Sequence, residues 1–199
     1  MALRGDGRIA VSASNDNTLK VWEVGTGREL RTLAGHTNWV LGVALSGDER
    51  IAVSASGDHT LKVWEVGSAR ELRTLAGHTS YVRGVALSGD GRIALSASYD
   101  STLKVWEVES GRELRTLVGH TRAVNGVALS GDGQIAVSAS SDNTLKVWDL
   151  ETGTCLATFT CDGAVWCCAF SEALNLILAG DAGGHLHFLR LIEPRPKNK

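Results

Sequence analysis

Proline is almost absent. Of 199 residues only Pro194 and Pro196 are proline, so no backbone donor is missing before residue 194 and hydrogen-bonded ladders can run uninterrupted up to there. Cysteine is scarce and confined. Cys155, Cys161, Cys167 and Cys168 fall in one short region, whereas a disulfide scaffold would spread them through the fold, so reduced thiols are expected. A charge excess is also lacking: 20 Lys and Arg stand against 22 Asp and Glu, interleaved as in "LKVWEV" and "GRELRTL". This argues against duplex nucleic acid or an anionic membrane as the main partner. No apolar run approaches bilayer length, and "MALRGDGRIAV" lacks the pattern of a signal peptide, so the expectation is a cytoplasmic protein.

What the sequence has is repetition. Gly-His recurs at Gly35-His36, Gly77-His78 and Gly119-His120, a period of 42 residues. Residues 35–76 and 77–118 share 32 of 42 positions, so they must fold alike, and 119–160 is a more divergent copy. Within one period the apolar runs are short, as in "VLGVAL", "RIAVSAS", "TLKVWEV" and "ELRTLA", each bounded by Gly, Asp, Ser or Thr. That pattern predicts four strands per repeat, joined by tight hairpins at "SGDGR", "YDST" and "ESGR". Several strands are apolar or small on both faces, so each sheet must be covered on both sides. A four-stranded meander stacked face to face every 40 to 45 residues is the plan of a propeller blade.

The pattern "GHT…V…VALSGDGRIAVSAS.D.TLKVWE" resembles the WD40 repeat over residues 1 to about 191. The resemblance implies an all-β, WD40-type β-propeller of four-stranded antiparallel blades. It also implies a buried hydrogen-bond network of His, Ser, Asp and Trp in each blade: His36, Ser54, Asp58 and Trp64; His78, Ser96, Asp100 and Trp106; His120, Ser138, Asp142 and Trp148. Ser56, Ser98 and Ser140 are the alternative serines. The first repeat retains Ser12, Asp16 and Trp22. A Ser-His-Asp trio with a Trp beside it in every intact blade reads as structure and not as three hydrolytic sites. The expectation is therefore a protein that is not an enzyme and needs no cofactor or metal.

The expected organisation is a propeller portion over 1–193, with a partial blade at 1–34, full blades at 35–76, 77–118 and 119–160, a degenerate last blade at 161–193, and a basic tail at 194–199. This gives about 4.5 blades in one chain. In the last blade Asp162 replaces the network His, Gly183 the turn Asp and Leu189 the Trp, so that blade is expected to hold by apolar packing alone. Its ending, "AGDAGGHLHFLRL", is similar to the last blade of bacterial signalling NTPases of the NACHT and NB-ARC type. An arc of this kind would expose an apolar face at each end, so the chain is expected either to be part of a longer propeller or to close a ring with its own copies.

Near-identical repeats differ where packing does not constrain them. The differences concentrate in the loop entering the innermost strand and around the turn Asp, both at one end of the blade, where the WD40 resemblance implies contact with peptides and proteins; a second cluster, Gly67, Ala69, Glu109 and Gly111, lies in the third-to-fourth strand turn on the other side and is read as drift. The candidate partner-binding residues are Trp39, Leu41, Tyr81, Arg83, Tyr99, Asn125 and Trp166, large aromatics with an Arg among them. The expected function is a protein- or peptide-binding scaffold, with self-assembly through homo-oligomerisation as the alternative. Cys161, Cys167 and Cys168 with His185 or His187 match no zinc spacing.

Overall fold

A computed structural model describes residues 1–3 and 7–192; the basic tail expected at 194–199 lies outside them. Among the described residues the short apolar runs form nineteen strands in five antiparallel sheets. The first sheet holds β1 (Ala2–Leu3), β2 (Ile9–Ala13), β3 (Thr18–Glu23) and β4 (Arg28–Ala34). The second holds β5 (Val40–Leu45), β6 (Ile51–Ser56), β7 (Thr60–Glu65) and β8 (Arg70–Ala76). The third holds β9 (Val82–Leu87), β10 (Ile93–Ser98), β11 (Thr102–Glu107) and β12 (Glu113–Val118). The fourth holds β13 (Val124–Leu129), β14 (Ile135–Ser140), β15 (Thr144–Asp149) and β16 (Cys155–Thr160). The last has three strands, β17 (Val165–Ser171), β18 (Leu176–Asp181) and β19 (Leu186–Arg190). Each is a meander in chain order, as the hairpin turns require.

Every blade packs on the next, and the apolar core is divided among the four junctions. One side of each junction is a trailing face, such as Val53, Ala55, Leu61, Val63 and Leu75; the other is the leading face of the following blade, such as Leu87, Ala94, Trp106 and Val108. Trp64, Trp106 and Trp148 are almost wholly buried in this way. The innermost strands β1, β5, β9, β13 and β17 face a common open channel of about 370 Å³, walled by small and aliphatic residues including Ala44, Ala86, Ala128 and Leu129.

Two close approaches explain glycines that the repeat retains. The glycine of Gly-His lies against the Trp of its own blade: a Cβ at Gly35, Gly77 or Gly119 would come within 3.1, 3.2 and 3.0 Å of the indole Cη2 of Trp64, Trp106 and Trp148. Gly42 lies against the next inner strand, where a Cβ would meet the Arg83 carbonyl oxygen at 3.1 Å.

The turns between third and fourth strands sort by backbone conformation. Gly153 has φ +77°, and a Cβ there would lie 2.6 Å from Arg115 Cδ. Gly67, two residues into the matching turn, has open space around it and no positive φ. Gly153→Ala is therefore expected to lower unfolding stability by about 1–2 kcal/mol, with Gly67→Ala near neutral. Denaturant midpoints of the two variants check this, and equal midpoints would contradict it.

Candidate functional site

The repeated polar residues form one relay in each intact blade. In the second blade Trp64 Nε1–H donates to Ser54 Oγ at 2.8 Å, and Ser54 Oγ lies 2.7 Å from His36 Nε2. His36 Nδ1 is 2.7 Å from Asp58 Oδ2. Asp58 in turn accepts the Thr60 hydroxyl and the backbone N–H groups of Thr37 and Thr60. The same chain runs Trp106–Ser96–His78–Asp100 and Trp148–Ser138–His120–Asp142. The alternative serines act elsewhere, since Ser56 Oγ donates to the Asn38 carbonyl and accepts the Asp58 N–H, which fixes the turn. In the first blade Trp22 Nε1–H donates to Ser12 Oγ at 2.8 Å, and Asp16 accepts from Thr18.

The relay's polarity follows from its partners. A neutral imidazole that donates from Nδ1 to the aspartate leaves Nε2 free to accept the serine O–H, while serine oxygen accepts the indole N–H. Burial pushes the His36, His78 and His120 pKa below the ordinary value, against the opposing pull of the aspartate. Hydrogen bonds from threonine and histidine hold the Asp58 and Asp142 carboxyls at about 2 and lower Asp100 as well, outweighing their own burial. With every member occupied, the relay has no group left over for substrate.

The last blade departs from the expectation of apolar packing alone. Its own network is centred on Asp181, which accepts N–H groups of Gly183 and His185 at 2.8 and 3.0 Å and lies 3.2 and 2.9 Å from His185 Nδ1 and His187 Nε2. These bonds hold its carboxyl well below the usual range. Asp162 is exposed, while Cys161 is buried with the junction core. Asp181 pairs in register with Val165, the position that Ser56 holds opposite Val40, so the network was hidden by its shift of place along the strand.

The variable residues stand at the end of the blades that carries the turn aspartates, most of them partly or largely exposed. Leu41, Arg83, Asn125 and Trp166 each occupy the extra position of a β-bulge in the innermost strand: Val40 and Gly42, Val82 and Gly84, Val124 and Gly126, and Val165 and Cys167 pair with successive residues of the second strand. A bulge frees its extra residue from the ladder and re-aims the side chain. The following Gly lies beside the neighbouring inner strand: a Cβ at Gly84 would lie 3.6 Å from Gly126 Cα, and one at Gly126 3.4 Å from the Trp166 carbonyl oxygen, both ordinary contact distances. The four bulges thus stand in one course around the channel mouth.

Aromatic contacts join this course to the turn residues. His59 and Tyr81 rings lie 5.7 Å apart, and Tyr81 stacks on Tyr99 at 6.2 Å with planes 22° apart. The Arg83 guanidinium carbon is 5.5 Å from the Tyr99 ring centre and 5.6 Å from that of Trp166, and its Nη1 donates to the Tyr99 hydroxyl. Both tyrosines of the chain belong to this cluster. Trp39 and Trp166 remain 49% and 46% exposed, Tyr81 and Tyr99 37% and 38%. Trp39 flanks the cluster, since the loop that carries it is tied to Gly57 by the Asn38 amide and by its own carbonyl.

Asn125 is the exception among the expected contact residues. It is 5% exposed, and its Nδ2 donates to Ser141 Oγ and to the Val165 carbonyl, both at 2.9 Å. It clamps the fourth blade to the fifth and is not a surface contact. Sequence reasoning missed His59 as a member of the cluster; its variability beside the turn Asp was the available signal. Among the described residues no group of three or more His, Cys, Asp and Glu is placed to hold a metal ion, and no helix is long and apolar enough to cross a membrane.

Comparison with known proteins agrees with this geometry. The family model of the WD domain, G-beta repeat, matches residues 1–23, 27–65 and 69–107, about half of the chain, and that of the TEP-1 C-terminal beta-propeller matches residues 120–191. Among curated proteins, the nuclear distribution protein PAC1 of Arthroderma otae is 59% identical over 34 residues, 17% of this chain and 7% of the relative. The nuclear distribution protein PAC1-2 of Postia placenta is 40% identical over 42 residues, 21% of this chain and 10% of the relative. The matches thus span a tenth or less of those relatives' lengths.

The relay predicts how stability follows pH. Histidines whose folded pKa is lowered contribute stability that is complete above the unfolded value near 6.5 and is lost as pH falls below it. The aspartates add a second loss, from about pH 4 towards 2. The unfolding midpoint should therefore be level from about pH 7 to 8 and decline below about 6.5. A midpoint that stays level or rises down to about pH 5 would contradict the neutral relay.

Proposed function

This chain belongs to the WD40 repeat family, and on that premise we propose that it is a non-catalytic platform that binds protein or peptide through the loop face at its channel mouth. One observation carries the reading: at the loop end of the blades, five positions at which the repeats differ, His59, Tyr81, Arg83, Tyr99 and Trp166, meet in one aromatic cluster, while the matching positions are occupied by the relay and the junction cores. Exposed Trp and Tyr held by neighbours lose little entropy on contact and offer large apolar area, which is the composition of binding anchors. The Ser-His-Asp trios lend no support to an enzyme, because each serine is engaged by an indole and each aspartate by threonine.

A second reading, self-assembly, is favoured by a different observation. The trailing face of the last blade presents Leu186 and Phe188, 60% and 66% exposed, at the positions that Leu61 and Val63 occupy in a buried junction. The first blade presents Val24 and the partly covered Trp22 on the corresponding leading face. Two such faces are the halves of one junction, so copies could associate head to tail. A finer attribution, to the C-terminal propeller of a bacterial signalling NTPase of the NACHT or NB-ARC type, is supported by the ending "AGDAGGHLHFLRL" and by the likeness of residues 120–191 to a C-terminal propeller.

The test selects peptides on the 199-residue chain from a random displayed library and measures them against a Trp39→Ala, Trp166→Ala double variant. The platform reading expects affinity to fall about tenfold or more, as the loss of two hot-spot aromatics implies, with the mass by light scattering unchanged. Equal binding to both proteins, together with a concentration-dependent multimer that Phe188→Glu disperses, would favour self-assembly instead.

A further inference from the structure

We propose that the channel mouth receives an acidic side chain of a peptide, its carboxylate seated on the Arg83 guanidinium between Tyr99 and Trp166; the proposal rests on the reading of this face as the contact surface. The first ground is the state of Arg83. Lys20, Lys62, Lys104, Arg28, Arg70, Arg92 and Arg112 all lie within 4 Å of an Asp or Glu. Among the described residues Arg83, like Arg73, Arg115 and Lys146, has no such partner, but where those bind backbone carbonyls or a threonine it holds a phenol oxygen and two rings. The turn aspartates of the same end, Asp58, Asp100 and Asp142, are each engaged by their own histidine and threonine, and the exposed Asp162 forms no ion pair with Arg83.

The second ground is preorganisation. A guanidinium carries five N–H donors, of which the Tyr99 hydroxyl takes one. Tyr99 and Trp166 immobilise the group and displace part of its water, which strengthens the remaining donors towards an anion and lowers the entropy lost on pairing. The bulge aims it outward, and Asn125 fixes the strand that carries Trp166.

The anion's class follows from the count of cations. One guanidinium at the centre of the cluster suits the single charge and planar fork of a carboxylate, whereas a phosphate dianion calls for several cations around it. Exposed Tyr81 and Trp166 in the cluster, and exposed Trp39 on the neighbouring blade's loop, suit apolar neighbours on the same peptide.

The experiment measures fluorescence anisotropy with two capped, labelled peptide pools, alike except for a central Glu in one and Gln in the other and with Leu, Phe, Ala and Ser at the flanks. The Glu pool should bind about tenfold or more tightly than the Gln pool, the loss expected when a charged hydrogen bond goes. Arg83→Gln should erase that difference, while Arg31→Gln, on an outer strand, leaves it. If both pools bind equally and the Trp39→Ala, Trp166→Ala variant weakens both, the acidic specificity is wrong and the platform stands. If binding is indifferent to every loop substitution, both are wrong. Absence of binding by either pool up to about 1 mM, or a phosphoserine pool that outcompetes the Glu pool, also overturns the proposal.

Discussion

The closeness of neighbouring inner strands is the constraint from which the rest follows. Sheets of Ala, Val and Leu on both faces must be stacked, and at the channel the stack is tight enough that a side chain at Gly42 would meet the next blade's backbone at 3.1 Å. A glycine follows the bulge in the second to fourth blades; the approach is tightest at Gly42, while at Gly84 and Gly126 an added Cβ would reach ordinary contact distance, 3.6 and 3.4 Å. The stacking also brings the bulge residues of successive blades side by side. The packing rule that makes the repeats alike thereby sets their varied bulge residues into one course. In the last blade the glycine's place is held by Cys167, which is exposed.

The fold was legible because three signals coincide in every period: strand-length apolar runs, turn residues between them, and small residues on both faces. The relay was legible through the resemblance of its spacing, and the structure gives the two serines of "SAS" different partners, Ser54 the indole and Ser56 the turn. Other features could not be read locally. The bulges depend on how two strands pair, and nothing in "WVLGV" as a string distinguishes the extra residue from its neighbours. The burial of Asn125 depends on the fifth blade, whose Val165 carbonyl it reaches. The network of the last blade escaped because Asp181 stands where a serine stands elsewhere, and a search for the missing residues at their own positions passes over it.

That substitute network shows what the blade end demands. In the intact blades an aspartate in the turn gathers a threonine, a histidine and backbone donors; in the last blade an aspartate two residues earlier gathers two histidines and backbone donors. Both solutions put a carboxylate with its lone pairs filled at the hairpin that faces the mouth. Turns held this way present their outer residues at fixed positions, which a loop without such an anchor would not. The fixed geometry of this loop face and the acid sensitivity predicted for the fold therefore share one origin.

The bulge positions are not independent of one another. Arg83 and Trp166 belong to the third and fifth blades, yet the guanidinium and the indole are 5.6 Å apart. They can meet only because the bulge residue between them, Asn125, is short and turns inward to hold the Val165 carbonyl, the residue next to Trp166. One amide thus both clears the path for the arginine and fixes the strand that bears its aromatic partner. A long side chain at residue 125 would fill the gap and release that strand, so drift at the fourth blade's bulge cannot proceed without disturbing the third and the fifth. Independent decoration of loops would not produce this dependence; a single surface built across three blades does.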